Sequence, residues 1–152
     1  MKYKQLKLDN QLCFPLYALS KEVVRLYSPY LKKLNLTYTQ YITMMVLWEH
    51  KHISVKKLGS KLYLDTGTLT PLLKKLEAKN YIQLTTDKKD KRSVIVTITP
   101  DGDLLQEDAK DIPLHIASCL NLDEVNAQLL YDTSYQLLSI INKAEDKESS
   151  GD

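Results

Sequence analysis

The sequence predicts a mainly α fold with a small β hairpin, a winged helix-turn-helix set between longer N- and C-terminal helices. Apolar residues recur at three- and four-residue intervals along most of the chain, as on one face of a helix. Residues 82–98 instead alternate apolar with polar, as half-buried strands do. Cap and turn residues crowd the middle of the chain and thin out towards its ends, so short helices are flanked by long ones. A length of 152 residues is about one domain, with a core that would hide about 68 to 70% of the unfolded chain's surface.

The first helix carries Leu12, Leu16, Leu19, Val23, Leu26, Tyr30, Leu31 and Leu34 on one face. Deep in a helix Pro15 would lose a bond and clash with the carbonyl four residues back, but a first turn tolerates it. A start near Leu12 or Cys13 therefore places Cys13 at the helix N-terminus. Thr37 and Gln40 have the spacing of a capping box, and Tyr38, Tyr41, Ile42, Met45, Val46 and Trp48 follow as the apolar face of a second helix ending near His50. Ser54 caps a short third helix, with Ile53 and Leu58 spaced as a hydrophobic staple.

Asp65-Thr66-Gly67-Thr68 supplies a cap and a tight turn before a fourth helix. That helix has Leu69, Leu72, Leu73 and Leu76 on one side and Thr68, Thr70, Lys74 and Lys75 mostly on the other. Two short helices joined this way make a helix-turn-helix candidate, although any helical hairpin has similar punctuation. Ile82 and Leu84, then Val94, Val96 and Ile98, flank the loop Asp87-Lys88-Lys89-Asp90-Lys91-Arg92. Alone, such a loop reads as solvated surface. Directly behind a helix-turn-helix it reads as a wing, with the second helix entering the major groove and the hairpin reaching phosphates or the neighbouring minor groove.

Thr99-Pro100-Asp101 caps a further helix with proline at its first position. Leu105, Ala109, Ile112 and Ile116 continue its period, and Pro113 is expected to kink it. Asn121 and Glu124 then start a final helix bearing Val125, Leu129, Leu130, Leu137, Leu138 and Ile141. These C-terminal helices have more apolar surface than a small winged domain needs. Pairing with the same surface of a second copy is expected, and a two-fold dimer suits DNA half-sites one helical turn apart. The division expected is dimerisation helices at 1–35 and 100–143, a winged helix-turn-helix DNA-binding domain at 36–99 and a disordered tail at 144–152.

The net charge of +2 conceals a division: +5 over residues 1–55, +6 over 56–92 and −9 over 101–152. A basic middle beside an acidic end suggests a polyanion-binding surface on one part only, against the alternative of ordinary solvated surface. No run approaches the ~20 apolar residues of a membrane span, and Lys21 and Glu22 stand where a signal peptide would place its cleavage site. The expectation is a cytoplasmic protein without a membrane partner. His50, His52 and His115 lack convincing metal-ligand spacing, so neither metal nor cofactor is expected. Nor do two cysteines make a disulfide scaffold or a metal motif. Cys13, between Leu12 and Phe14, reads either as a small buried hydrophobe or as a thiolate stabilised by a helix N-terminus and neighbouring hydroxyls. Ten tyrosines against one phenylalanine could place several donors inside the fold. Spacing leaves both readings of Cys13 open.

The segments Leu8-Asp-Asn-Gln-Leu-Cys-Phe14, Leu36-Thr-Tyr-Thr-Gln-Tyr41, Leu62-Tyr-Leu-Asp-Thr-Gly-Thr-Leu-Thr-Pro-Leu-Leu-Lys-Lys-Leu76 and Asp90-Lys-Arg-Ser-Val94 closely resemble the MarR family of winged-helix repressors. Within it they look like the organic-hydroperoxide-sensing, OhrR-like branch, over about residues 8 to 143. The resemblance implies a homodimer that binds an inverted-repeat operator in double-stranded DNA and is not an enzyme. Cys13 inherits the peroxide-sensing role, Tyr27 and Tyr38 match two tyrosines donated to the sulfur across the dimer, and Thr66 to Lys79 match the recognition helix. DNA contacts are expected from Thr66, Gly67, Thr68, Thr70, Lys74, Lys75 and Arg92, with Asp90 holding Arg92 in place. Cys119 stands where some members carry a second cysteine that closes an intersubunit disulfide; otherwise it is an incidental loop residue. Pro15 departs from the ordinary helix former expected at its place. Two rivals remain at this stage: a MarR-type regulator of a phenolic ligand with a structural Cys13, and a thiol peroxidase in which Cys13 turns over.

Overall fold

Two 3-10 turns, Lys4–Leu6 and Leu8–Asn10, lead into helix α1, Cys13–Lys33. These coordinates come from a computed structural model that describes residues 2–149, with side chains to residue 142. Pro15 lies in the first turn of α1, the place that spares it a clash. Helix α2, Tyr38–His50, opens with the expected capping box. The Gln40 N–H donates to Thr37 Oγ1 at 3.3 Å and the Thr37 N–H to Gln40 Oε1 at 3.1 Å. Strand β1, His52–Ser54, precedes α3, Val55–Leu62, whose cap is Ser54. Helix α4, Thr66–Ala78, is followed by β2, Ile82–Thr86, and β3, Val94–Ile98.

The hairpin expected from the sequence is part of a three-stranded antiparallel sheet in the order β1-β3-β2. Val96 is paired with Ile53 on one side and Leu84 on the other. The tight turn expected at Asp65–Thr68 lies earlier. Tyr63 takes the left-handed conformation with φ 54°, and the helix already begins at Thr66, so Gly67 is helical. This turn folds back so closely that a Cβ on Gly59 would stand 2.7 Å from the Leu64 carbonyl oxygen, which only glycine avoids. Met44, Leu47, Leu58, Leu69, Leu76 and Val96 are fully buried where α2, α3 and α4 meet the sheet.

Thr99 caps α5, Pro100–Leu104, with Pro100 at its first position as expected; α6, Gln106–Ala109, and α7, Ile112–Leu120, follow. The kink expected at Pro113 is a break just before it. Pro113 has no N–H for the Ala109 carbonyl, so α6 ends there and α7 restarts with Pro113 in its first turn. Helix α8, Glu124–Ser149, is capped by Asp123, whose Oδ1 accepts the Asn126 N–H at 2.9 Å. Asn121, expected to open that helix, is instead left-handed at φ 47° and closes α7. Helix α8 runs through residues 144–149 of the stretch expected to be disordered, and 150–152 lie outside the described residues. The chain forms two compact units, one ending at Pro113 and the other beginning at Leu114. That division differs from the functional one drawn from sequence, because the buried Leu31 and Leu34 at the end of α1 belong with α2.

Candidate nucleic-acid interface and thiol site

Helix α4 separates its two faces cleanly. Leu69, Leu72, Leu73 and Leu76 are buried, whereas Thr66, Gly67, Thr68, Thr70, Lys74 and Lys75 are all exposed. The Asp65 carboxylate fixes the start, accepting the Thr68 N–H at 2.9 Å and the Thr68 hydroxyl at 2.7 Å. Those bonds hold the Asp65 carboxyl below the usual carboxylate range. The Thr70 hydroxyl donates to the Thr66 carbonyl at 2.8 Å. Both hydroxyl protons are thus committed inside the helix, and the outward lone pairs of Thr68 and Thr70 remain acceptors. The N-terminal N–H groups and the lysines further along suit phosphate.

In the wing, carboxylates make the turn and cations stand clear of it. Asp87 Oδ1 accepts the Lys89 N–H at 2.8 Å, and Asp90 Oδ1 accepts the Arg92 N–H at 3.0 Å. The Ser93 N–H closes the loop on the Asp90 carbonyl at 2.8 Å. Arg92 Nε sits 3.4 Å from Asp90 Oδ1, while its side chain is 93% exposed. Asp90 therefore does lie against Arg92, and it leaves the guanidinium free to leave for a phosphate.

Sequence reasoning missed a second row of cations. Lys56, Lys57 and Lys61 on α3, with His50 and His52, line a groove of about 1050 Å³ that reaches Asp87 and Asp90 of the wing. The signal was available: the face of α3 opposite Leu58 and Leu62 is lysine, and the test applied to α4 would have found it.

Cys13 is the first residue of α1 and is exposed, as are its neighbours Leu12 and Phe14. This overturns the buried-hydrophobe reading for the single chain. Tyr27 and Tyr38 are in edge contact, with ring centroids 5.0 Å apart. A third phenol not singled out from sequence, Tyr41, packs 5.9 Å from Tyr27. Burial raises all three phenol pKa values, and each of Tyr27 and Tyr41 is raised further by its phenolic neighbours. The thiol does not share a neighbourhood with this cluster in one chain: Tyr27 is fourteen residues further along the same helix, about 21 Å at ~1.5 Å per residue. Cys119 is exposed in α7, in the second unit. Among the described residues, no three His, Cys, Asp or Glu side chains are grouped to hold a metal ion, and no helix is long and apolar enough to cross a membrane.

Set against known proteins, residues 25–109 match the family of transcriptional regulators SarA/Rot. The chain is 44% identical to the organic hydroperoxide resistance transcriptional regulator of Bacillus subtilis, over 93% of this chain and 97% of that one. It superposes with a TM-score of 0.74 on reduced AbfR bound to DNA, at 33% identity, covering 93% of this chain and 99% of the other. On disulfide-formed AbfR the TM-score is 0.61 at 34% identity, covering 88% and 95%.

Proposed function

The chain belongs to the MarR family of winged-helix transcriptional regulators, in the branch of the organic hydroperoxide resistance regulators, and from that premise we propose that it is a redox-sensing repressor. Reduced, a homodimer holds an inverted-repeat operator, with α4 in successive major grooves and the Arg92 wings alongside. An organic hydroperoxide then oxidises Cys13 and the operator is released. The thiolate sulfur takes the terminal oxygen of ROOH, the O–O bond breaks, and RO⁻ leaves as the alcohol after protonation, giving a sulfenic acid. Where Cys119 meets it, its thiolate attacks that sulfur and expels hydroxide, which leaves as water after protonation, forming a disulfide.

The observation that carries this reading is an incomplete site. Cys13 is an exposed helix-terminal thiol and Tyr27 and Tyr38 form a phenol pair, yet α1 holds them about 21 Å apart. A second copy, running the other way, is what brings one chain's phenols to the other's sulfur. Each unit has apolar side chains for a second copy to cover: in the first, Leu12 is 75% exposed with Leu6 and Leu16 also uncovered, and in the second, Val125 is 78% exposed with Leu129 and Ile140 also uncovered. Driving such a switch from 1:99 to 99:1 requires about 5.5 kcal/mol of differential stability. A disulfide could supply that strain more readily than a sulfenic acid alone.

The test is DNA binding by wild type and Cys13→Ser, each with and without cumene hydroperoxide. Wild type should release DNA on oxidation and Cys13→Ser should not. Release from the Cys13→Ser protein would remove the sensor assignment, and release by a phenol instead of a peroxide would favour a ligand-gated regulator. Steady consumption of peroxide by wild type with a thiol reductant would point to a peroxidase.

A further inference from the structure

Tyr38, Tyr27, Tyr41 and Trp48 form an unbroken file of oxidisable rings. Centroid separations are 5.0 Å from Tyr38 to Tyr27, 5.9 Å from Tyr27 to Tyr41 and 6.1 Å from Tyr41 to Trp48. Each ring is in contact with the next, so an electron has no gap to cross. The two ends open on different cavities: Tyr38 lines one of about 510 Å³ beside Val24 and Ser28, and Trp48 lines one of about 310 Å³ beside Met45 and Lys110. Tyr41 also borders the Trp48 cavity, though only 2% of it is exposed. Packing alone does not call for this composition, since phenylalanine fills such a site without taking a hydroxyl out of water. The single phenylalanine of the chain, Phe14, lies outside the file.

We propose that Trp48, Tyr41, Tyr27 and Tyr38 are a hole-transfer relay that carries a one-electron oxidation from the cavity beside Trp48 to the phenol pair. The oxidants of the right class are alkoxyl radicals, formed when a reduced metal ion gives one electron to an organic hydroperoxide and releases hydroxide. The radical takes an electron from the Trp48 ring and a proton from water, leaving an alcohol, and the indole radical cation loses its N–H proton to water to become a neutral indolyl radical. Trp48 Nε1 donates to the Gly102 carbonyl at 2.8 Å, which fixes the ring against α5. Tyr41 then gives an electron to Trp48 and loses its hydroxyl proton to water, becoming a phenoxyl radical while the indole nitrogen takes a proton back from water, and Tyr27 and Tyr38 repeat the electron exchange in turn. The direction follows from general chemistry: at neutral pH the indolyl radical oxidises a phenol. The phenols are held protonated by their burial, so each phenol that gives up an electron also gives up its proton. The relay ends on the two phenols that the proposed function places beside a second copy's Cys13, but it needs neither that dimer nor DNA.

Because Trp48 is the only tryptophan, pulse radiolysis with azide radicals, which oxidise tryptophan in preference to tyrosine, tests the relay directly. The azide radical becomes azide anion as Trp48 loses an electron and a proton. In wild type the indolyl absorption should decay in a first-order phase, independent of protein concentration, as phenoxyl absorption grows at the same rate. Tyr41→Phe keeps the ring and removes the hydroxyl, and it should abolish that phase. Tyr27→Phe should retain the first transfer, with the phenoxyl confined to Tyr41. An unchanged phase in Tyr41→Phe, or decay in wild type that depends on protein concentration, would overturn the relay. Urea melts of each variant identify any that fail to fold, and for those Trp48→Phe replaces them: phenoxyl should then form only by bimolecular oxidation. Sensing by Cys13 is unaffected by either result, so failure here is distinguishable from failure of the proposed function.

Discussion

Replacing Arg92 by alanine removes one mobile cation from each wing and little else. Its side chain is 93% exposed and its only charged partner is the exposed Asp90, a kind of pair worth little to folding. The urea midpoint should therefore stay where it is, and any change in DNA binding belongs to the interface. Each phosphate a wing neutralises contributes about 0.9 to the slope of log K against log salt, or about 5.5-fold in affinity at ~0.15 M salt and about 30-fold for two wings. Between about 50 and 200 mM salt, the loss of affinity in the variant should be about 12-fold smaller than in wild type. Fluorescence anisotropy with a duplex of mixed sequence is sufficient, since this electrostatic contribution does not depend on sequence. Asp90→Ala provides the control. It frees the Arg92 N–H from its 3.0 Å bond and removes a negative charge, so it should leave the slope in place while loosening the loop. An unchanged slope in Arg92→Ala would take the wing off the DNA altogether.

Peroxide should give wild type a reductant-sensitive band of doubled mass on a denaturing gel, absent in both Cys13→Ser and Cys119→Ser; if wild type stays at single mass while DNA is still released, Cys119 is incidental. Tyr27→Phe and Tyr38→Phe should bind DNA normally and oxidise more slowly, as followed by stopped-flow trapping of the thiol, and equal rates would separate these phenols from the sulfur. Because burial raises the pKa of Tyr27, Tyr38 and Tyr41, their unfolded forms ionise first. The associated stability is intact below about pH 10 and falls as pH rises through the folded values, so urea melts across that range should weaken in wild type and weaken less in Tyr41→Phe. Gly59→Ala should destabilise by about 1–3 kcal/mol, because its Cβ meets the Leu64 carbonyl at 2.7 Å, and an unshifted midpoint would show that the turn gives way freely.

Local signals made the helices and the exposed polar face of α4 legible from sequence. The Thr37–Gln40 capping box, the Ser54, Asp65 and Thr99 caps and the faces of α4 all act within a few residues, and the structure follows them. Strand β1 was not legible, since three residues with one apolar member, Ile53, show no period; it forms only because β3 presents a free edge. The turn at Tyr63 was misplaced because Gly67 suggested a left-handed residue that a tyrosine supplies instead. Asp65-Thr66-Gly67-Thr68 is a helix start, with the carboxylate capping Thr68. Tyr41 was counted as a core residue because helical period reports burial and says nothing of which rings from two helices touch. The lysines of α3 stand opposite Leu58 and Leu62 in the sequence, but only the fold sets Lys56, Lys57 and Lys61 along the groove that reaches the wing. Spacing left the role of Cys13 open, and the sensing role proposed for it came from the family resemblance.

The uncovered leucines of the N-terminal segment and of α8 have a consequence for life at low copy number. As the proposed homodimer, a chain that completes itself only against its own kind would have no fixed melting temperature; its persistence would rise with its abundance by mass action. A newly made copy without a mate is the species that proteases and chaperones meet first. Decay would then become a steep function of abundance, and a modest fall in expression would thin the regulator more than proportionally. Repression would lapse by attrition as well as by oxidation.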